Sequence, residues 1–200
     1  MKKFTTILFI FFISIMLSVS AYAETAKDAI MGLKKLQARC QSGISYRDYS
    51  NALGEAKFPV NLFMESAEAK KIPELTDSIK IVMGHYEYAG YIWHEKIAAI
   101  SKSTPDPVEY WLTLGWIPTL GPLGRELTKR YPGIKTFGEN YLVDSALETI
   151  WATAAQELEN TTKLYAKTEG NSSSEVDKLK KEIARLQKEN DALKAKQKKK

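Results

Sequence analysis

Apolar residues recur along most of this chain at three- and four-residue steps. Leu75, Ile79, Val82, Met83, Tyr86, Gly90, Trp93, Ile97 and Ile100 do so in one long segment, and Val143, Leu147, Ile150, Trp151, Ala154, Leu158 and Tyr165 in another. That spacing gathers the apolar side chains on one face of a helix. No segment of any length alternates strictly, so no sheet is expected. Helix-start signals fall between the periodic stretches. Thr25-x-x-Asp28, Ser45-x-x-Asp48, Asp106-x-x-Glu109, Thr136-x-x-Glu139 and Ser174-x-x-Asp177 each pair a capping side chain with a carboxylate three residues on, which ties down the unpaired N–H groups of a first turn. Pro59, Pro73, Pro107 and Pro122 suit first-turn positions, where a missing N–H costs nothing. Together these signals predict helices near 25–41, 45–56, 59–71, 73–102, 106–117, 122–131, 136–168 and 174–197. The fold class is all-α: a mainly antiparallel helical bundle with two long amphipathic helices, plus a C-terminal coiled-coil helix.

Two stretches interrupt this pattern. From Leu114 to Phe137 an apolar, aromatic run is punctuated by Gly115, Pro118, Gly121, Pro122, Gly124, Pro132 and Gly133, and it reads as a helical elbow between the two long helices. Gly170-Asn171-Ser172-Ser173-Ser174 is small, polar and uncharged, and reads as a linker. The expected organisation is a signal peptide at 1–23, a bundle domain at 24–169, a linker at 170–174 and a coiled coil with a basic tail at 175–200.

The signal peptide rests on three features. Lys2 and Lys3 make a basic start, Ile7 to Leu17 is apolar, and Ala21-Tyr22-Ala23 is a small-x-small cleavage site. The apolar stretch from Phe4 to Val19 is short for a bilayer core of about 30 Å. The expectation is an exported protein, periplasmic or secreted, whose mature chain begins at Glu24.

The C-terminal segment carries the clearest motif. With Val176 at heptad position a, Leu179 is d, Ile183 a, Leu186 d, Asn190 a and Leu193 d. A 3.5-residue apolar repeat keeps the seam facing a partner helix only when the helices wind around each other. Branched residues at a with leucine at d favour two parallel strands, and an asparagine at a fixes register. Glu175 with Lys180, and Glu189 with Lys194, stand at g and the following e′, an attractive parallel pairing. The segment resembles a leucine zipper of the kind found in dimeric transcription factors. That resemblance implies a parallel homodimer. No basic recognition helix precedes the seam, so no nucleic-acid partner is expected.

Charge changes the picture only at this end. The chain holds 29 basic and 24 acidic residues, a formal net charge of +5. The excess sits after Gly170, so a near-neutral domain carries a basic tail. Lys194, Lys196, Lys198, Lys199 and Lys200 could meet an anionic envelope surface by long-range attraction. Cys40 is the only cysteine, which excludes an intrachain disulfide and any Cys-cluster metal site. Its apolar neighbours Leu33 and Leu36 place it on a buried helix face.

Chemistry-bearing patterns are few. His85 and His94 are the only histidines, and Glu-x-x-His spacing is missing, so no metal site is expected. Cys-x-x-Cys-His, Gly-x-Ser-x-Gly and the phosphate-loop and dinucleotide fingerprints are absent, so no cofactor and no catalytic residue is assigned. Aromatic density between Tyr86 and Trp116 offers a possible ligand cleft, with His85, Tyr88, Tyr91, His94, Trp111 and Trp116 as its candidates. Tyr46, Tyr49 and Leu53 after Gly43, with Ala56, Val60 and the later Ile150-Trp151-Ala152, are similar to a pattern in small exported bacterial helical proteins. That resemblance implies export and helicity, and no activity. The reading is a non-catalytic, exported envelope scaffold that self-associates through its coiled coil. The alternative is a small-molecule- or metal-binding bundle using the aromatic cleft.

Overall fold

A computed structural model describes residues 26–102 and 106–197, with side chains through residue 170 and at Lys181. The expected signal peptide, Thr25 of the first capping pair and Lys198 to Lys200 lie outside the described residues. The elements are α1 (26–41), α2 (Tyr46–Glu65), α3 (Ala67–Lys71), α4 (Pro73–Ser101), α5 (Pro107–Thr113), β1 (Trp116–Pro118), α6 (Pro122–Arg130), β2 (Asn140–Leu142) and α7 (Val143–Gln197). The all-α bundle is present, with one very small sheet added to it. Among the described residues, no helix is long and apolar enough to cross a membrane.

Four helices form the bundle: α1, α2, α4 and the first five turns of α7. Arg39 meets Glu55 at 3.0 Å, so α1 and α2 run antiparallel from the turn at Gly43. Tyr46 meets His94, Tyr49 meets Trp93, and Lys57 meets Glu87. Rising numbers on α2 therefore face falling numbers on α4. The same sense holds between α4 and α7, where Ser78 Oγ lies 2.6 Å from Thr161 Oγ1 and Lys96 Nζ lies 3.6 Å from Asp144. The core comes from the predicted stripes: Leu75, Ile79, Val82 and Tyr86 on α4, and Val143, Leu147, Ile150, Ala154 and Leu158 on α7, are all buried. Ile97 and Ile100 are exposed instead, while Ile92 and Ala99 are buried. At its N-terminal end α2 reaches α4 only as far as Trp93 and His94, so a longer apolar stripe has less helix to cover it.

Several helix boundaries differ from expectation, among them a break at Ser66 within the helix predicted over 59–71, where α2 ends and α3 begins. The predicted break before Pro59 is absent, and α2 runs through it. An interior proline normally costs about 3 kcal/mol. Here the buried stripe Tyr49, Ala52, Ala56, Val60 and Phe63 continues in phase on both sides, and the proline ring packs against α1 at Gly32. Ser45 caps the helix, accepting from the Asp48 N–H at 3.2 Å as its spacing predicts. The helix predicted to 117 ends at Thr113, because Gly115 turns the chain with φ +80°. Asp106 and Glu109 form the expected reciprocal capping box at its start. The helix predicted from 136 starts at Val143. Thr136 and Glu139 belong instead to a turn in which Glu139 O accepts from the Thr119 N–H at 3.0 Å.

The elbow is therefore α5, an antiparallel pair and α6. Trp116 pairs with Leu142, Ile117 with Tyr141 and Pro118 with Asn140. Three-residue strands are too short to show alternation, which is why the sequence does not reveal them. Helix α6 returns over β1. A methyl group at Gly124 would lie 2.9 Å from Thr119 Cα and closer still to Pro118 O. Backbone, not a movable side chain, occupies that space. Gly124→Ala is expected to destabilise the fold by about 2 kcal/mol even after its gain in helix propensity. A urea titration followed by circular dichroism reads this as a lower midpoint with an unchanged slope.

The chain divides into two compact units, Met1–Thr162 and Lys163–Lys200. In the second, residues 163–197 are helical. Tyr165 Oη donates to Glu169 Oε1 at 2.6 Å, and Thr168 Oγ1 donates to Leu164 O at 3.0 Å. The expected linker at Gly170 to Ser174 is helical, and α7 passes through it without a break. Adding a residue to an existing helix costs far less than starting one. One glycine and three serines cost only a fraction of a kcal/mol to about 1 kcal/mol each, and helix-favouring segments flank them. Ser174-x-x-Asp177 accordingly lies inside α7 and caps nothing.

Candidate functional site

Ring contacts among the described aromatic residues fall in three parts of the fold. In the first, Tyr46, Tyr49, Trp93 and Trp151 join α2, α4 and α7. Tyr49 lies 5.6 Å from Trp93 and 5.7 Å from Trp151, and the two tryptophans lie 5.8 Å apart. Tyr49 is fully buried, and its hydroxyl donates to Tyr86 O at 2.6 Å. Burial pushes that phenol well above its ordinary range, so it stays a donor at any physiological pH. His94 sits at the edge of this group, with Nδ1 2.9 Å from Tyr46 Oη.

The second group lies where α6 ends against α4. Tyr131 stacks on Tyr88 at 5.7 Å, Tyr91 lies 6.2 Å from Tyr88, and the Arg130 guanidinium sits 4.4 Å from the Tyr88 ring centre. A planar cation over an aromatic face is attracted by the ring quadrupole. Burial raises both Tyr88 and Tyr131 to about 12. His85 Nδ1 lies 2.8 Å from Tyr131 Oη. The imidazole tautomer sets the direction of this bond: with Nδ1 bare the Tyr131 hydroxyl donates, and with Nδ1 protonated the Tyr131 oxygen accepts.

Desolvation is the main cause that lowers the His85 pKa below 6.5, with Glu157 opposing and Arg130 adding to it. The unfolded chain then binds the His85 proton more readily than the folded one. Stability is fully present above about pH 6.5 and declines as pH falls from there toward the depressed folded value. We expect the melting temperature to drop between pH 7 and pH 5.5, and His85→Gln to flatten that slope. Calorimetry in a series of buffers at constant ionic strength measures it.

The third group belongs to the elbow. Trp111 packs edge-on against Tyr110, and Trp116 against Phe137, each at 6.0 Å. The six residues proposed for one cleft are thus distributed. His85, Tyr88 and Tyr91 stand together, His94 belongs to the first group, and Trp111 and Trp116 belong to the third. Trp93, which touches Tyr46, Tyr49 and Trp151, is outside that set, as are Tyr49, Trp151 and Tyr131. Trp151 stands in the apolar stripe predicted for α7 and Tyr49 in the pattern shared with small exported helical proteins, but nothing in the local sequence says that Tyr131 closes a contact across 46 positions.

Among the described residues, no three His, Cys, Asp or Glu side chains gather as a metal site would need. Cys40 is buried and unpaired, and burial pushes its thiol up to about 12. A thiol held protonated is a poor nucleophile. The heptad positions Val176, Leu179, Ile183, Leu186, Asn190 and Leu193 all fall on α7, as do Lys194 and Lys196. The chain matches no protein-family model, no curated protein and no solved structure.

Proposed function

We propose that this protein is an exported, non-catalytic envelope scaffold that self-associates through a parallel two-stranded coiled coil over 175–197. One observation carries the reading: α7 is helical from Val143 to Gln197, so every position of the heptad seam stands on a helix. A 3.5-residue repeat has the same phase in each copy only if the backbone is helical throughout. Export rests on the basic, apolar and small-x-small layout of residues 1–23. The lysines at 194–200 supply attraction to an anionic envelope surface, strongest at low salt.

Sedimentation equilibrium of the mature chain from Glu24 tests the reading. At tens of micromolar the expected mass is that of a dimer, and a chain ending at Glu169 is expected to be a monomer. A mature chain that stays monomeric at that concentration overturns the proposal.

A further inference from the structure

A second candidate site lies within the bundle. A cavity of about 480 Å³ opens between α1, α4 and α7, beside Cys40. Its size is within the range that holds small organic ligands. Glu148 stands exposed at its mouth. Among the described residues, no cation is paired with that carboxylate. The glutamines Gln37 and Gln41 contribute amide oxygens from α1. Trp151 and Tyr86 also line it, and the buried Trp151 Nε1–H has no hydrogen-bond partner. Tyr86 is fully buried, and its hydroxyl has no hydrogen-bond partner. Buried polar atoms without partners are uncommon, and each calls for a reason.

The charge of the lining selects among ligands. Glu148 is the one ionisable group there that is charged at neutral pH, and no lysine, arginine or histidine lines the cavity. The groove between α1 and α2, of about 320 Å³, is different: Lys35 and Arg39 offset Asp28 and Glu55 along its wall. An anion entering the Glu148 cavity would meet a like charge and find no compensating cation. A cation would meet a carboxylate and the side-chain amides of Gln37 and Gln41. Ala152 and Ala155 leave room beside Glu148 and Trp151, and with the protonated Cys40 they form an apolar wall. That wall suits alkyl groups rather than a bare metal ion.

We infer that this cavity binds a small organic cation of the alkylammonium class, with Glu148 countering its charge and Trp151, Ala152 and Ala155 packing on its alkyl groups. Self-association plays no part in this inference, and the test reads the same in monomer and dimer.

Isothermal titration calorimetry of the mature chain with choline chloride, putrescine dihydrochloride and sodium acetate, at matched ionic strength, tests it. At least one of the two cations is expected to bind with a sub-millimolar Kd, and acetate is not. Glu148→Gln, which keeps size and hydrogen bonding while removing the charge, is expected to weaken that binding at least tenfold with an unchanged melting temperature. Ala155→Leu, which fills the space and leaves the charge, is a second and independent block. If neither cation binds, or acetate binds as well, or Glu148→Gln and Ala155→Leu both bind like the parent, the inference is overturned.

Discussion

A chain carrying both Ile183→Asp and Leu186→Asp is expected to remain monomeric at concentrations where the parent is a dimer. Ile183 is at a and Leu186 at d, the middle pair of the seam. Each substitution removes an apolar knob worth a few kcal/mol and places a carboxylate where it would lose water. In a symmetric dimer both changes occur twice. Like charges would also face one another across the axis. A dissociation constant raised by roughly 10,000-fold corresponds to about 5.5 kcal/mol, less than the sum of those losses. Sedimentation velocity from 1 to 100 µM reads this directly. Equal behaviour of parent and variant over that range would rule out the seam as the interface. A subtler change, Asn190→Val, is expected to tighten association while allowing higher oligomers, because the polar residue at a costs stability and limits strand number.

The other large effect concerns the bundle itself. Tyr49→Ala is expected to destabilise it by about 4 kcal/mol, the range for emptying a buried aromatic site. Tyr49 touches Trp93 on α4 and Trp151 on α7 from its place on α2, so its loss opens a void among three helices. Tyr49→Phe keeps the ring and removes only the bond to Tyr86 O. That carbonyl retains its place in the α4 hydrogen-bond ladder, so a smaller loss of about 1 kcal/mol is expected. Urea unfolding followed by tryptophan fluorescence separates the two. Similar losses for both would mean that the hydroxyl, not the ring, holds the helices together.

The difference between the two tyrosine variants shows what kind of information sequence patterns carry. Periodicity placed Tyr86 on the inner face of α4, and its side chain is fully buried there. Periodicity could not say that the Tyr86 carbonyl accepts from Tyr49, or that the Tyr86 hydroxyl is left without a partner beside Glu148. The same limit applies to the aromatic candidates. His85, Tyr88, Tyr91 and His94 are close in sequence, yet residues three apart share a helix face while those nine apart lie on opposite sides. His85 and Tyr88 meet Tyr131, whereas His94 turns to Tyr46.

By itself the sequence determined the helical class, the caps at Ser45 and Asp106, and the inward faces of α4 and α7. These follow from backbone chemistry and from a 3.6-residue period, both local to each segment. Tertiary structure alone decided that α2 runs through Pro59 and that three residues of the elbow pair with three others 22 to 26 positions away. It also decided which rings meet. Each of these depends on a free-energy balance in which packing between distant segments outweighs a local cost. A missing N–H at Pro59 is offset by a stripe buried against α1 and α4, and a strand too short to hold itself is held by its partner and by the helix above it.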